Sequence, residues 1–360
     1  MDARQISTVG FVSCHPLIPF PGRTQGRDVA TADTSLNTKM TPGVATREKG
    51  RPLRRWLRRF WWFLLACLLL MVWYYKLPGL AYYWFITRDQ HGASDAPAVR
   101  VSGYRVSIEG LPIAGLSRNL SGLTYNVRTG TLFSIVNRPA QVAEISTDGR
   151  LIRLIDIDGL KDPEGITYVD GNTYVISDEA SHSLYWIQIA ATDKRLSVVG
   201  VPRLRLGIDV VHNASLEGVS WDSNANRLFV VKEKLPLRVL VITGLRADVH
   251  QPGFDIAINE WKSSSAASLF MSDLSSLTYH EPTGNLLLLS DESALIVEYA
   301  PDGSPVDMLP LWRGLHGLKR KIPQPEGLSL GSDGAIYVLS EPNLFYRFDP
   351  PTRPVWARPN

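Results

Sequence analysis

Acidic residues flank a series of short apolar hairpins along this 360-residue chain. One acid precedes a first apolar run and one or two acids follow the second run, as Glu164 does with Asp178 and Glu179. The start of the first strand and the end of the second lie at the same edge of an antiparallel hairpin. Each hairpin should therefore bring its own acids together. The ten candidate metal ligands are Glu164, Asp178, Glu179, Glu217, Glu233, Asp273, Asp291, Glu292, Glu326 and Glu341.

If the first strands surround a common channel, all ten carboxylates face one opening. So many like charges require bound cations, raised pKa values or basic partners. Ca²⁺, which takes six to eight oxygen ligands in flexible geometry, is the cofactor we expect there. For Glu164, Glu217 and Glu326, the alternative is that they hydrogen-bond backbone amides of the next repeat.

Other polar residues occupy the same predicted mouth. Asn137 and Arg138 stand where the first repeat lacks acids, Lys232 and Lys234 flank Glu233, and His182 lies near Asp178. We expect the set Asn137, Arg138, Lys232, Lys234 and His182 to contact a small anionic ligand or a protein partner. The sequence contains no G-x-S-x-G, H-E-x-x-H or P-loop motif.

The elements that position these residues form a repeat. A small residue, an apolar run, a turn rich in Gly, Asn or Asp and a second apolar run recur every 40–60 residues or so, the spacing of β-propeller blades. Continuous runs such as Leu286–Leu289 predict strands buried on both faces. The five repeats begin around Gly122, Gly165, Gly218, Ser276 and Gly327.

The pattern therefore predicts an all-β β-propeller over residues 100–352, with five blades. A strand at Tyr104–Ile108 could close the ring against the last blade. Six blades are the alternative if 176–216 or 232–275 contains a degenerate repeat, and a β-sandwich is the other all-β alternative. Residues 353–360 are expected to be a tail.

The N-terminal region predicts one transmembrane helix before the propeller. No charge occurs from Phe60 to Tyr75, and residues 56–77 supply the roughly 20 apolar positions that a bilayer requires. Tryptophans and tyrosines cluster at both ends of this segment, as expected at the two interfaces. Its basic flank comprises Arg54, Arg55, Arg58 and Arg59, whereas only Lys76 follows closely.

This asymmetry predicts a single-pass signal anchor in the plasma (inner) membrane, with the propeller on the periplasmic or extracytoplasmic side. A cleaved signal peptide is the alternative, but no small-residue cleavage site follows the apolar run. Residues 78–99 form the expected linker. Residues 1–55 are expected to be a disordered cytoplasmic tail, of which 1–39 could reflect a misassigned start because Met40 begins a normal signal anchor.

The totals are those of an ordinary globular protein, at 44% hydrophobic and 20% charged residues with a net charge of +3. Much of the basic excess precedes the apolar segment, so we expect no nucleic-acid partner for the folded domain. The two cysteines, Cys14 and Cys67, lie outside the predicted propeller and provide it with no disulfide.

The ordered set of repeats resembles the bacterial SdiA-regulated (YjiK/CarP-like) family. The matching segments are SGLTYN at 121–126, PEGITYV at 163–169, LEGVSWD at 216–222, SSLTYHEPTGNLLLLSDES at 275–293 and PQPEGLSLGSDGAIYVLSEPNLFY at 323–346. The resemblance implies a membrane-associated propeller, distantly like the calcium-dependent β-propeller phytases, that binds calcium. The first functional hypothesis is thus a calcium-binding module for a ligand or partner, in calcium or envelope homeostasis. The alternative is a calcium-dependent, phytase-like phosphoester hydrolase.

Overall fold

A computed structural model describes residues 51–74, 81, 84–85, 97–207, 216–233, 237–245, 255–261 and 269–351. Helix α1 spans Arg51–Tyr74 and contains most of the predicted membrane segment. Among the described residues, no helix combines the length and the apolar character that crossing a bilayer requires. The predicted anchor at 56–77 thus remains a prediction, and residues 75–77 lie outside the described residues.

The described strands form five sheets, antiparallel except for one parallel edge strand in blade 1, and each sheet is a propeller blade with its first strand innermost. Strand β1 is Arg105–Pro112. Blade 1 has β2 Leu120–Asn126, β3 Thr131–Val136, β4 Gln141–Ile145 and β5 Leu151–Asp158. Blade 2 has β6 Pro163–Asp170, β7 Thr173–Asp178 and β8 Ser183–Gln188, followed by β9 Arg195–Ser197 and β10 Arg203–Arg205. Strand β10 is the outer strand of blade 2, whereas β9 pairs in parallel with β5 at the edge of blade 1.

Blade 3 has β11 Leu216–Asp222, β12 Arg227–Lys232, β13 Arg238–Thr243 and β14 Ala257–Glu260. Blade 4 has β15 Ser276–His280, β16 Asn285–Ser290, β17 Leu295–Tyr299 and β18 Pro305–Pro310. Blade 5 has β19 Pro325–Leu330, β20 Ile336–Ser340 and β21 Leu344–Asp349, with β1 as its outer strand. The prediction of five blades is confirmed. The stretches suspected of hiding a sixth blade instead contribute outer strands to blades 1, 2 and 3.

The first and last strands of the propeller meet in blade 5 and close the ring. Strand β1 pairs with β21, as predicted. The segment before β1 is fastened to blade 4 by Glu298, whose buried carboxylate accepts hydrogen bonds from the amides of Val99 (2.7 Å) and Arg100 (2.9 Å). Asp307 accepts the amide of Ser102 in the same way (2.9 Å). The N-terminal segment therefore links blade 4 to blade 5.

Apolar clusters fill the five interfaces between neighbouring blades. Strand β16 shows why its sequence is continuously apolar. Leu286 and Leu288 pack towards blade 3, whereas Leu287 and Leu289 pack towards blade 5. Successive residues of a strand point to opposite faces, so a sheet covered on both sides needs apolar residues at every position.

The repeated glycines let the innermost strands approach one another around the axis. A Cβ at Gly122 would lie 2.4 Å from the carbonyl oxygen of Glu164, and one at Gly165 would lie 2.4 Å from that of Glu217. Gly122 also has a φ of 39°, in the left-handed region. A larger residue at either position would force two blades apart.

Hydroxyl groups two residues after these glycines connect consecutive blades. Each hydroxyl accepts the backbone amide of the next innermost strand, at 2.9–3.0 Å. The pairs are Thr124 with Tyr168, Thr167 with Trp221, and Ser220 with Tyr279. These three hydrogen bonds link blade 1 to blade 2, blade 2 to blade 3, and blade 3 to blade 4.

Candidate functional site

The predicted acids lie at one end of the central channel. The first strand of each blade is innermost, and its opening residue pairs with the end of the second strand, as Pro163 does with Asp178 and Pro325 with Ser340. We call this end the acid mouth. Its members at the second residue of an innermost strand are Glu164, Glu217 and Glu326, and its members just after a second strand are Asn137, Glu179, Glu233, Asp291 and Glu341.

Three carboxylates converge between blades 1 and 2. One ligand oxygen from each of Asp162, Glu164 and Glu179 lies within 4.8 Å of the other two. Asp178 positions this group, because its Oδ1 accepts the amide of Asp162 (2.7 Å). The Glu179 amide donates to the carbonyl oxygen of Asp162 (2.8 Å). We call Asp162, Glu164 and Glu179 the acid triad.

Two oxygen atoms at this site are buried and have no hydrogen-bond partner: Asp162 Oδ1, which belongs to the triad, and Asn137 Oδ1, which lies beside it. The amide nitrogen of Asn137 donates to Glu164 Oε1 (3.0 Å), which holds the Asn137 side chain against the triad. An unsatisfied buried oxygen is costly unless a donor or a cation meets it. Carboxylate and amide oxygens are ligands of Ca²⁺ and Mg²⁺, so the donor set fits a hard divalent cation.

The electrostatics of the mouth favour positive charge. Burial raises the pKa of Glu164 to about 7, reinforced by Asp162 and Glu179 and opposed by hydrogen bonds from Asn137 and Ser121. Burial likewise raises the pKa of Glu326 to about 9. Its carboxylate neighbours include Asp291, Glu164 and Glu341. Glu164 is among the carboxylates that raise the pKa of Glu326, which indicates that carboxylates of blades 2 and 5 face one space.

Residues 96–349 match the model of the SdiA-regulated family. The chain belongs to this family. The resemblance found in the sequence motifs is thereby confirmed, together with the fold.

Solved structures with a similar fold include a glutaminyl cyclase from Myxococcus xanthus, at 14% identity and a TM-score of 0.44 over 68% of this chain and 96% of that chain. A luciferin-regenerating enzyme matches at 12% identity and a TM-score of 0.42, over 68% and 95%. A streptogramin B lyase matches at 10% identity and a TM-score of 0.39, over 68% and 98%. At such identities and scores the likeness does not extend to activity.

Two of the predicted ligands of this SdiA-regulated propeller are structural. Asp178 and Asp273 are 1% and 2% exposed. Asp178 accepts the amides of Lys161, Asp162 and Ser181, and Asp273 accepts Ser290 Oγ and the amides of Asp291 and Glu292. Their carboxylates hold the loops of the mouth in place.

Asp162 was not among the ligands predicted from the sequence. The available signal was its position two residues before Glu164.

The predicted ligand-binding residues are dispersed. Asn137 adjoins the triad, and Arg138 forms a 2.7 Å ion pair with Asp162. Lys232 is only 2% exposed. His182 occupies the β7–β8 turn with a φ of 49°, where its amide donates to Glu179 O (2.9 Å). Lys234 lies outside the described residues.

A cavity of about 790 Å³ lies at the opposite end of the channel. It is lined by the ends of the innermost strands, whose equivalent residues are Tyr125, Tyr168, Trp221, Tyr279 and Leu330. The sequence analysis did not anticipate it, although a hydroxyl followed by an aromatic residue recurs after the small residue in four repeats. The acid mouth and this cavity are therefore separate features of the channel.

Proposed function

We propose that this SdiA-regulated propeller is a membrane-anchored, calcium-binding module in which Ca²⁺ binds the acid triad together with Asn137. The observation that carries the proposal is the convergence of three carboxylates, one of which has a buried, unpartnered oxygen, beside the buried, unpartnered Oδ1 of Asn137. A bound cation would meet both needs at once, since it neutralises the charges and satisfies the oxygens.

The consequence for function is a change of charge at the mouth. Without a cation, the triad repels anions and favours protonated carboxyl groups. With Ca²⁺, the same surface would accept a small anionic ligand or an acidic group of a protein partner. Because Ca²⁺ must displace protons from Glu164, its affinity should rise with pH around neutrality.

The membrane part of the proposal places the propeller on the extracytoplasmic side, with residues 56–77 as the anchor. The basic residues before the apolar run support this orientation. Protease added to spheroplasts of an expressing bacterium should digest the propeller, whereas protection of the propeller until the membrane is lysed would contradict the orientation.

The phosphoester hydrolase alternative gains no support from Arg138 and Lys232, the predicted basic mouth residues that the structure describes. The Arg138 guanidinium is already paired with Asp162, and Lys232 is buried. A phosphate site needs cations that can turn towards its oxygens. We therefore do not propose this activity.

Calorimetric titration of the detergent-purified full chain with CaCl₂ tests the calcium site. We expect saturable binding that is abolished in the Asp162→Asn, Glu179→Gln double variant and retained in Glu292→Gln, which removes an exposed acid near the mouth. No binding by the wild-type chain up to ~10⁻³ M Ca²⁺, the weak end for extracellular modules, would sink the proposal.

A further inference from the structure

A compact loop between blades 4 and 5 combines exposed cations with exposed apolar side chains. The loop runs from Leu311 to Ile322, and its ends are joined by a hydrogen bond from the Ile322 amide to Leu311 O (3.1 Å). Leu311, Leu318 and Ile322 are at most 2% exposed, in the cluster between these blades. Compact loops with joined ends and their own packing are often functional.

The loop is held in one conformation. The Gly314 amide donates to Leu318 O (2.8 Å), and the Leu318 amide donates to Leu315 O (2.9 Å). Glu109 on β1 accepts the backbone amides of Lys319 (2.8 Å) and Arg320 (3.0 Å). The side chains that the loop exposes are therefore presented from a fixed framework.

Its exposed side chains are those of a membrane-interface segment. Trp312 is 38% exposed and Leu315 is 41% exposed, although the same loop buries its other apolar residues. No acid occurs between Trp312 and Ile322. In the described part of the chain, no ion pair involves any of the loop's four exposed cations, which are Arg313, Lys319, Arg320 and Lys321.

The loop begins and ends at the face of the propeller that carries the acid mouth. Strand β18 is the fourth antiparallel strand of blade 4, so it ends at the face where its innermost strand began. From there the loop runs along the outer strand of blade 5, where the Val106 amide donates to His316 O (2.9 Å) near the end of β1 remote from the mouth. It then returns to β19. The indole nitrogen of Trp312 donates to Ser293 O (3.0 Å) in the turn after β16, on the same face.

We propose that the Leu311–Ile322 loop docks the propeller onto an anionic phospholipid bilayer at its outer edge between blades 4 and 5. Tryptophan partitions into the interface between head groups and acyl chains, and clustered Lys and Arg side chains are attracted to anionic lipid head groups. A bilayer needs no matched pocket, which suits exposed tips that project from a loop. The inference rests on the proposed membrane anchor, because tethering by 56–77 and a short linker keeps the loop near the lipid surface.

The test uses the full chain in nanodiscs made of zwitterionic phosphatidylcholine or of anionic phosphatidylglycerol, in EDTA, with amide hydrogen exchange of residues 311–322 as the readout. We expect exchange at least about threefold slower in anionic discs, and the difference should disappear at high salt. The Lys319→Gln, Arg320→Gln, Lys321→Gln triple variant should lose this protection. The control is Lys194→Gln, Arg203→Gln, Arg205→Gln, which removes three exposed cations from blade 2 and its vicinity and should retain it.

Equal exchange of the loop in the two kinds of disc would overturn the proposal and leave an acidic protein as the class of partner. If the control triple variant lost as much protection of the loop as the loop variant, the proposal would also be overturned, because the protection would then depend only on the net charge of the protein. Failure of the chain to co-purify with discs of either composition would contradict the anchor, on which docking depends. Calcium binding is measured separately, so its failure is distinguishable from failure of the docking.

Discussion

Replacing Glu164 with glutamine should have opposite effects on stability in the absence and presence of calcium. Glutamine keeps the oxygen that accepts the Asn137 hydrogen bond but removes the charge beside Asp162 and Glu179. The folded-state pKa of Glu164 is about 7, against an ordinary value of 4.5. Each pKa unit corresponds to about 1.4 kcal/mol, so ionising Glu164 in the folded protein costs up to roughly 3 kcal/mol.

The pH window follows from the direction of this shift. The pKa is raised on folding, so the wild-type chain is most stable below pH ~4.5 and loses this contribution as pH rises towards 7. In EDTA the variant should exceed the wild type by no more than about 1 kcal/mol near pH 5. At pH 8 it should be more stable by up to roughly 3 kcal/mol, or about 6–12 °C in melting temperature for a domain of this size.

With calcium bound, the wild type should instead be more stable than the Glu164→Gln variant. The wild type gains stability by binding the ion, whereas Glu164→Gln has lost a charged ligand and should gain little. Thermal unfolding of the full chain in detergent at pH 5 and pH 8, with EDTA or CaCl₂, measures all four conditions. Glu292→Gln is the matched control and should follow the wild type. If calcium raised the melting temperature of Glu164→Gln as much as that of the wild type, the triad would not be the site.

Three substitutions test the framework. Gly165→Ala should destabilise the propeller by more than about 2 kcal/mol because its Cβ meets a carbonyl oxygen of blade 3, whereas Gly207→Ala, which meets nothing, should be neutral in urea unfolding. Glu298→Gln should lower the free energy of unfolding by about 2 kcal/mol, because its side-chain NH₂ would face a backbone amide of the segment that closes the ring. A loss no larger than that caused by Asp302→Asn, at an exposed position, would contradict this role. Thr167→Val should cost about 1–3 kcal/mol by removing the acceptor of a buried amide, and rescue by Thr167→Ser is required if the hydroxyl is the cause.

The fold was predictable because its physical requirements repeat. Glycine recurs where innermost strands approach closely, and continuous apolar runs recur because each sheet is covered on both faces. Five copies of these constraints identify a propeller from local patterns alone. The closing strand was found for the same reason, since β1 supplies the fourth strand that the last repeat lacked.

The site was only partly predictable because similar acids in the repeats have different roles. Asp178 and Asp273 follow or precede apolar strands as Glu164 and Glu179 do, yet their carboxylates face inwards and accept backbone amides. Which way a side chain turns at the end of a strand depends on the loop that packs beside it. Asp162 lies in such a loop, three residues before Gly165, as Asp273 lies three residues before Ser276. The repeat thus marks both aspartates alike, and only the folded chain shows that Asp162 joins the triad.

The basic loop begins and ends at the face that carries the acid mouth, so the proposed ligands of the mouth and the loop should influence each other. Unneutralised carboxylates at the mouth repel an anionic bilayer, whereas Ca²⁺ at the triad leaves the cations of the Leu311–Ile322 loop unopposed. Calcium should therefore further slow the amide hydrogen exchange of the loop in anionic nanodiscs. By linkage, the protein should bind calcium more tightly in anionic discs than in neutral ones. Ca²⁺ can also bridge lipids directly. The Glu164→Gln variant separates this effect from binding at the triad, because it should keep any change in loop exchange that the lipids cause and lose the change that depends on the triad. Equal calcium affinity of the wild type in both kinds of disc would show that the mouth and the loop act independently.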